Sequence, residues 1–147
     1  MTVPVSVKLL DSRAKLPAYG SNAAAGADLY ALTGSPVTIA PGETALIHTG
    51  IAVAVPQGYV GLVYARSGMS CKRGIAPANK VGVIDADYRG EVMIYLYNHG
   101  SQPQTVEDGE RVAQLVITPY LTAQFQSVDE LDGTERGSGG FGSTGSK

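Results

Sequence analysis

Short apolar runs recur along the chain between turn-forming residues. Val3, Val5, Val7 and Leu9 alternate with other residues, the period-2 signature of a half-buried strand. Runs at residues 37–39, 45–47, 51–55, 59–64, 81–84, 92–97, 112–117 and 125–128 continue the pattern. They are punctuated by Pro41-Gly42, Pro56-Gln57-Gly58, Arg89-Gly90, Asn98-His99-Gly100 and Asp108-Gly109. Many short strands with glycine and proline turns predict an all-β sandwich or barrel. Residues 67–73, closed by Gly74, are the one stretch that invites a helix, at most two turns long. Residues 133–147 break the pattern: six of these fifteen are glycine and Phe141 is the only large apolar side chain. Such a segment buries too little to offset its backbone entropy, so the expected division is a β-barrel domain over 1–132 and a flexible arm over 133–147. By composition alone a frayed tail is the simpler reading; an arm that orders over a ligand is the other.

Composition narrows this picture. A chain of 147 residues fits one domain, and 44% hydrophobic with 16% charged residues allows a packed core. The net charge of −2, with no basic run longer than Lys72-Arg73, argues against duplex nucleic acid as a partner. Cys71 is alone, so no internal disulfide forms, which suits a reducing compartment. The N-terminus lacks a signal-peptide pattern, and no stretch approaches the ~20 apolar residues that span a bilayer. A soluble, cytoplasmic protein without membrane contact is the expectation.

Four segments could carry chemistry. Arg66-Ser67-Gly68 follows a predicted strand and opens the candidate helix. A forked guanidinium, a hydroxyl and a glycine that permits close approach suit a phosphate, although Ser67 on its own is better explained as a helix cap. Asp85 ends the apolar run 81–84 and begins the turn 85–90, where a carboxylate could orient and deprotonate water. Taken alone, the turn is better explained as a structural hairpin. Asp28 is a lone acid in apolar surroundings, free to pair with a base or to hold a metal, directly or through water. His48 and His99 have no metal-ligand spacing with each other or with Cys71 and read as structural or surface residues. The arm carries Arg136, Ser143, Thr144 and one aromatic, a composition able to grip phosphates, yet it lacks the spacing and following helix of a P-loop.

Taken together and in order, AGADLY (25–30), RSGMS (66–70), GVIDADYRGE (82–91), GERVAQLV (109–116) and RGSGGFGSTG (136–145) resemble the five motifs of the homotrimeric deoxyuridine triphosphatases. The third and fifth are the most distinctive. The resemblance implies a distorted jelly-roll of the β-clip type with one short helix, assembled as a homotrimer. Each site would take its uracil hairpin, its phosphate segment and its C-terminal arm from three different subunits. It implies hydrolysis of dUTP to dUMP and pyrophosphate with Mg2+, keeping uracil out of DNA and supplying dUMP for dTMP synthesis.

Residue by residue, Asp85 matches the catalytic carboxylate and Tyr88 the ring beneath the deoxyribose that excludes a 2′-hydroxyl. Asn79, Gly82, Val83, Ile84 and Met93 match the base and sugar pocket. Arg66, Ser67, Gly68 and Gln114 match phosphate contacts, and Asp28 the residue that positions magnesium through water. Phe141 matches the arm aromatic that stacks on uracil, with Arg136, Gly142, Ser143 and Thr144 gripping phosphate. Ala65 departs from the proline common before Arg-Ser-Gly, which bears on loop stiffness. The alternatives are a related dCTP deaminase and, from another class, a non-catalytic nucleotide-sensing β-module.

Overall fold

A computed structural model of the chain describes residues 2–140. Within them run β1 (Ser6–Leu9), β2 (Ala18–Tyr19), β3 (Ala27–Tyr30), β4 (Val37–Ile39), β5 (Thr44–Ala54), β6 (Tyr59–Tyr64), β7 (Ile75–Pro77), β8 (Val81–Ile84), β9 (Glu91–Asn98), β10 (Gln104–Val106) and β11 (Arg111–Pro119). One short helix, Gly68–Arg73, lies between β6 and β7. The strands form a four-stranded sheet in the order β1-β5-β9-β7, a five-stranded sheet β2-β3-β11-β6-β8 and a ribbon β10-β4. The all-β architecture predicted from the turn pattern is therefore observed.

Alternation decides which face each strand buries. In β9, Val92, Ile94, Leu96 and Asn98 point inward while Met93 and Tyr95 stay exposed. All three sheets feed one core: Ile47, Val53 and Leu96 from the first, Leu29, Val112 and Leu115 from the second, Ile39 and Val106 from the ribbon. Each such side chain, fully buried, contributes about 1.5–3 kcal/mol. The buried Asn98 is satisfied, donating to the carbonyls of Ile39 (2.9 Å) and Gln102 (2.8 Å) and accepting from the Gly100 amide (2.9 Å). It ties β9 to the ribbon without leaving a polar group unpaired.

Several elements differ from the expectation. The runs 45–47 and 51–55 are one strand, β5, whose pairing with β9 shifts register between His48 and Ala52. Gly50 lies inside that irregularity with φ of 68°, so the intervening residues make a bulge and not a turn. Residues 125–128 form no strand, and Phe125 is 94% exposed. Without a neighbouring ladder an isolated apolar run does not hold a strand. Four strands were not signalled. β2, β7 and β10 are too short to show a period, and β3 is buried through Ala27, Asp28 and Leu29 and so does not alternate. The predicted helix is a single wide π turn that buries Met69, and Gly74 closes it in the left-handed region as expected (φ 69°).

Candidate active site

The predicted residues of the body, from Asp28 to Gln114, gather in two clefts. The first, about 220 Å³, lies where β8 and its turn meet β9. It is lined by Asn79, Gly82, Val83, Ile84, Asp85, Tyr88 and Met93 from the prediction, together with Val63, Pro77, Glu91 and Tyr95. β8 delivers these groups because it pairs with β6, with Gly82 opposite Val63. A Cβ at Gly82 would stand 3.2 Å from the Val63 Cβ, so glycine here allows tight packing. The Lys80 backbone turns through positive φ (66°) and the Val81 amide donates to the Asn79 carbonyl (2.7 Å), which aims the turn into the cleft. Val83, Met93 and Tyr88 are exposed apolar groups on this wall, 63%, 43% and 41% accessible, an apolar surface open to a ligand.

Asp85 sits at the end of β8 and is exposed. Its backbone carbonyl accepts from the Tyr88 amide (3.2 Å), closing the turn. Tyr88 is anchored separately: its hydroxyl donates to the Glu91 carbonyl (2.9 Å). Its ring lies over Gly90, where a Cβ would meet the Tyr88 oxygen at 2.5 Å and Cζ at 2.7 Å. Gly90 is thus required by the placement of the ring.

The second cleft, also about 220 Å³, is lined by Asp28, Arg66, Ser67, Gly68 and Gln114 from the prediction, with Gly26 and Arg111. Asp28, on β3, accepts from Arg66 Nε through Oδ1 (2.7 Å) and from Arg111 Nη1 through Oδ2 (3.2 Å). It therefore holds two guanidinium groups at the cleft wall. Ser67 occupies the position before the helix but makes no side-chain cap bond, so the capping explanation of this residue falls away. Gln114 Nε2 donates to the Ala65 carbonyl (2.9 Å). This bond braces the loop that a proline at 65 would stiffen. A Cβ at Gly26 would strike Gln114 Oε1 at 2.5 Å.

The two clefts share no lining residue. Arg136 reaches neither; its Nε donates to the Gly139 carbonyl (2.8 Å) in a local turn. Phe141, Gly142, Ser143 and Thr144 lie outside the described residues. The sequence reading missed Arg111, Gly90 and Glu91. Gly90 and Glu91 lie inside the third motif and Arg111 inside the fourth, and the pairing of β3 with β11 is what brings Arg111 to Asp28.

Electrostatically, Glu91 stands out among groups at the first cleft. Burial works to raise its pKa, but the His48 ring and the Gly50 and Thr49 amides together hold it below the ordinary value of 4.5. Among the described residues no helix is long and apolar enough to cross a membrane.

Comparison with known proteins bears on the family and the fold. A model of the dUTPase family matches residues 12–145. A deoxyuridine 5′-triphosphate nucleotidohydrolase of Shewanella piezotolerans is 48% identical over 152 residues, covering all of both chains. Another, from Syntrophotalea carbinolica, is 49% identical over 144 residues, with 98% of each covered. Among solved structures, the Staphylococcus bacteriophage 80alpha dUTPase, a G164S mutant with dUpNHpp, aligns with TM-score 0.88 and 33% identity over 98% of this chain and 99% of that one. The strands thus follow the dUTPase jelly-roll, and the sequence and the fold give one answer: the chain belongs to the dUTPase family, a family of nucleotide hydrolases.

Proposed function

We propose that the chain hydrolyses dUTP to dUMP and pyrophosphate by water attack on the α-phosphorus, in sites assembled from neighbouring copies of a homotrimer. The observation that carries this is the separation of the clefts. One chain presents a wall for a base and sugar beside Asp85, and a distinct guanidinium-lined cleft for phosphates. A nucleoside triphosphate needs both, and a second copy brings its phosphate cleft to the first copy's base wall. The phage enzyme carrying dUpNHpp, an imido analogue, supports a triphosphate in this fold.

In this reading Asn79, Gly82, Val83, Ile84 and Met93 receive uracil and deoxyribose. A turn with fixed N–H and C=O groups favours uracil, because cytosine reverses the donor and acceptor pattern and strands buried groups at ~1–3 kcal/mol each. The Tyr88 ring lies beneath the sugar and leaves no room for a 2′-hydroxyl. Arg66, Ser67, Gly68 and Gln114 take the phosphates, and Arg111 adds a charge to the same wall. Asp85 holds the water in line and accepts its proton. Residues 1–132 form the catalytic body, and 133–147 act as an arm that brings Arg136, Phe141, Gly142, Ser143 and Thr144 over a neighbour's site. Closing it excludes bulk water.

Magnesium fits this arrangement as an ion carried by the phosphates. Among the described residues no three His, Cys, Asp or Glu side chains group as a metal cage. Both Asp28 oxygens already accept from guanidinium groups, so direct ligation would compete with Arg66 and Arg111, and a contact through water would not. Bound there, the ion would supply neutralising charge for the triphosphate. A dUTPase of phage phi11 of S. aureus is described as coordinating a structural Mg(II) ion, which supports magnesium in the family.

Asp85→Asn is the direct test of the site. Turnover should fall about 10²- to 10⁴-fold while affinity for dUpNHpp, measured calorimetrically, stays within a few-fold of the parent. Strong residual turnover would rule out Asp85 as the base.

A further inference from the structure

We propose that Glu91 is a positioning residue for sugar selection: its carboxylate closes the β5 bulge and so fixes the start of β9, on which the Tyr88 ring is anchored. The proposal rests on the reading of Tyr88 as the ring that excludes a 2′-hydroxyl.

The bulge creates the need for an acceptor. His48 pairs with Met93 and Ala52 with Glu91, so three residues of β5, Thr49 to Ile51, face the single Val92 of β9. The amides of Thr49 and Gly50 are left off the regular ladder by this mismatch. Glu91 Oε1 accepts from both, at 3.2 and 2.8 Å. Its Oε2 accepts from His48 Nδ1 at 3.0 Å. The Thr49 hydroxyl donates to the Val92 carbonyl and locks the same junction from the other strand. Gly50 is needed for this geometry, since a Cβ there would meet Leu32 Cδ2 at 2.4 Å.

The junction leads straight to the cleft. The Glu91 backbone carbonyl is the acceptor for the Tyr88 hydroxyl, and the Tyr88 ring covers Gly90 between them. A displacement of residue 91 therefore passes to the ring directly through one hydrogen bond and along the chain through three peptide units. Glu91 lines the base cleft on one side and, on the other, a polar pocket with Asp11, Arg13 and His48. Asp11 is engaged by Arg13 at 2.9 Å, so the carboxylate of Glu91 is the one directed at the bulge. Its pKa is held low, and it meets these amides as a charged acceptor at neutral pH.

The test compares kcat/KM for dUTP and UTP in the parent, Glu91→Ala, Glu91→Gln, His48→Ala and the core control Ile39→Val. Glu91→Ala should lower the preference for dUTP over UTP about tenfold, chiefly by lowering KM for UTP as the ring gives way to the 2′-hydroxyl. Glu91→Gln should recover most of that preference, because an amide oxygen still accepts from Thr49 and Gly50. Ile39→Val should lose thermal stability with the preference unchanged. If Glu91→Ala does not fold, His48→Ala carries the test: it removes one bond from a half-exposed ring and should lower the preference about two- to threefold. An unchanged preference in folded Glu91→Ala, or failing that in His48→Ala, overturns the proposal. A parent enzyme that accepts UTP as well as dUTP would instead overturn the reading of Tyr88.

Discussion

Asp28 carries more than its place in an apolar stretch suggests. Two guanidinium groups, 38 and 83 residues away in sequence, close on its two oxygens. Removing the charge leaves both facing a neutral group at the phosphate wall. Asp28→Asn should raise KM for dUTP about tenfold, the scale of one lost charge-assisted hydrogen bond of about 1.5–3 kcal/mol. Steady-state kinetics at saturating magnesium reads this, and an unchanged KM would mean that the arginines are held by other contacts. At this scale the sequence was informative where a motif is local. Asp85, Tyr88 and the pocket residues lie within fifteen positions of one another, and the structure places them in one cleft. Arg111 lies inside the fourth motif, but its pairing with Asp28 is set by the β3–β11 register, which no local pattern encodes. Ser67 was ambiguous until its missing cap bond distinguished the two readings.

Strand β5 shows how an element can be read correctly and still be misjudged. Its two apolar runs are legible in the sequence, but nothing between them shows that they belong to one strand, since glycine in a strand marks an irregularity without saying which kind. Gly50→Ala should cost about 1–3 kcal/mol in denaturant unfolding, because φ is +68° and Leu32 and Ala14 already occupy the Cβ position. The same junction gives a pH dependence. Glu91 ionises more easily folded than unfolded, so its contribution is present above the unfolded value of 4.5 and is lost as pH falls through the lower folded value. Asp11 behaves alike, held to about 2 by its side-chain bond from Arg13 against an ordinary 3.8. Unfolding free energy should therefore stay level from neutrality to about pH 5 and decline below it, and Glu91→Gln should flatten the upper part of that decline. An identical acid profile for the variant would remove Glu91 from the account. Residues 125–128 mark the opposite limit: an apolar run alone predicts a strand, and only a neighbouring strand makes one.

In the whole molecule, Leu121, Phe125 and Leu131 are 97%, 94% and 87% exposed after β11 ends at Pro119. Among the described residues a single chain does not cover this surface, nor does it unite the two clefts. The proposed trimer answers both, and sedimentation equilibrium should give the mass of three chains. Deleting residues 138–147 should cut dUTP turnover sharply while leaving the thermal transition of the body in place, since among the described residues the core draws on nothing beyond Ile117. Full turnover in the truncated chain would reduce the segment to a tail. The all-β class, the family and the motif order were legible from sequence, because turns and motifs are local. The assembly entered only by resemblance, since no periodicity in one chain encodes how copies meet. The central claim is selective dUTP hydrolysis, and the most direct measurement is pyrophosphate release across dUTP, dTTP, dCTP and UTP with and without magnesium. Rapid release from dUTP alone, weakened by chelation, is the predicted result; ammonia release from dCTP, or no release from dUTP, would contradict it.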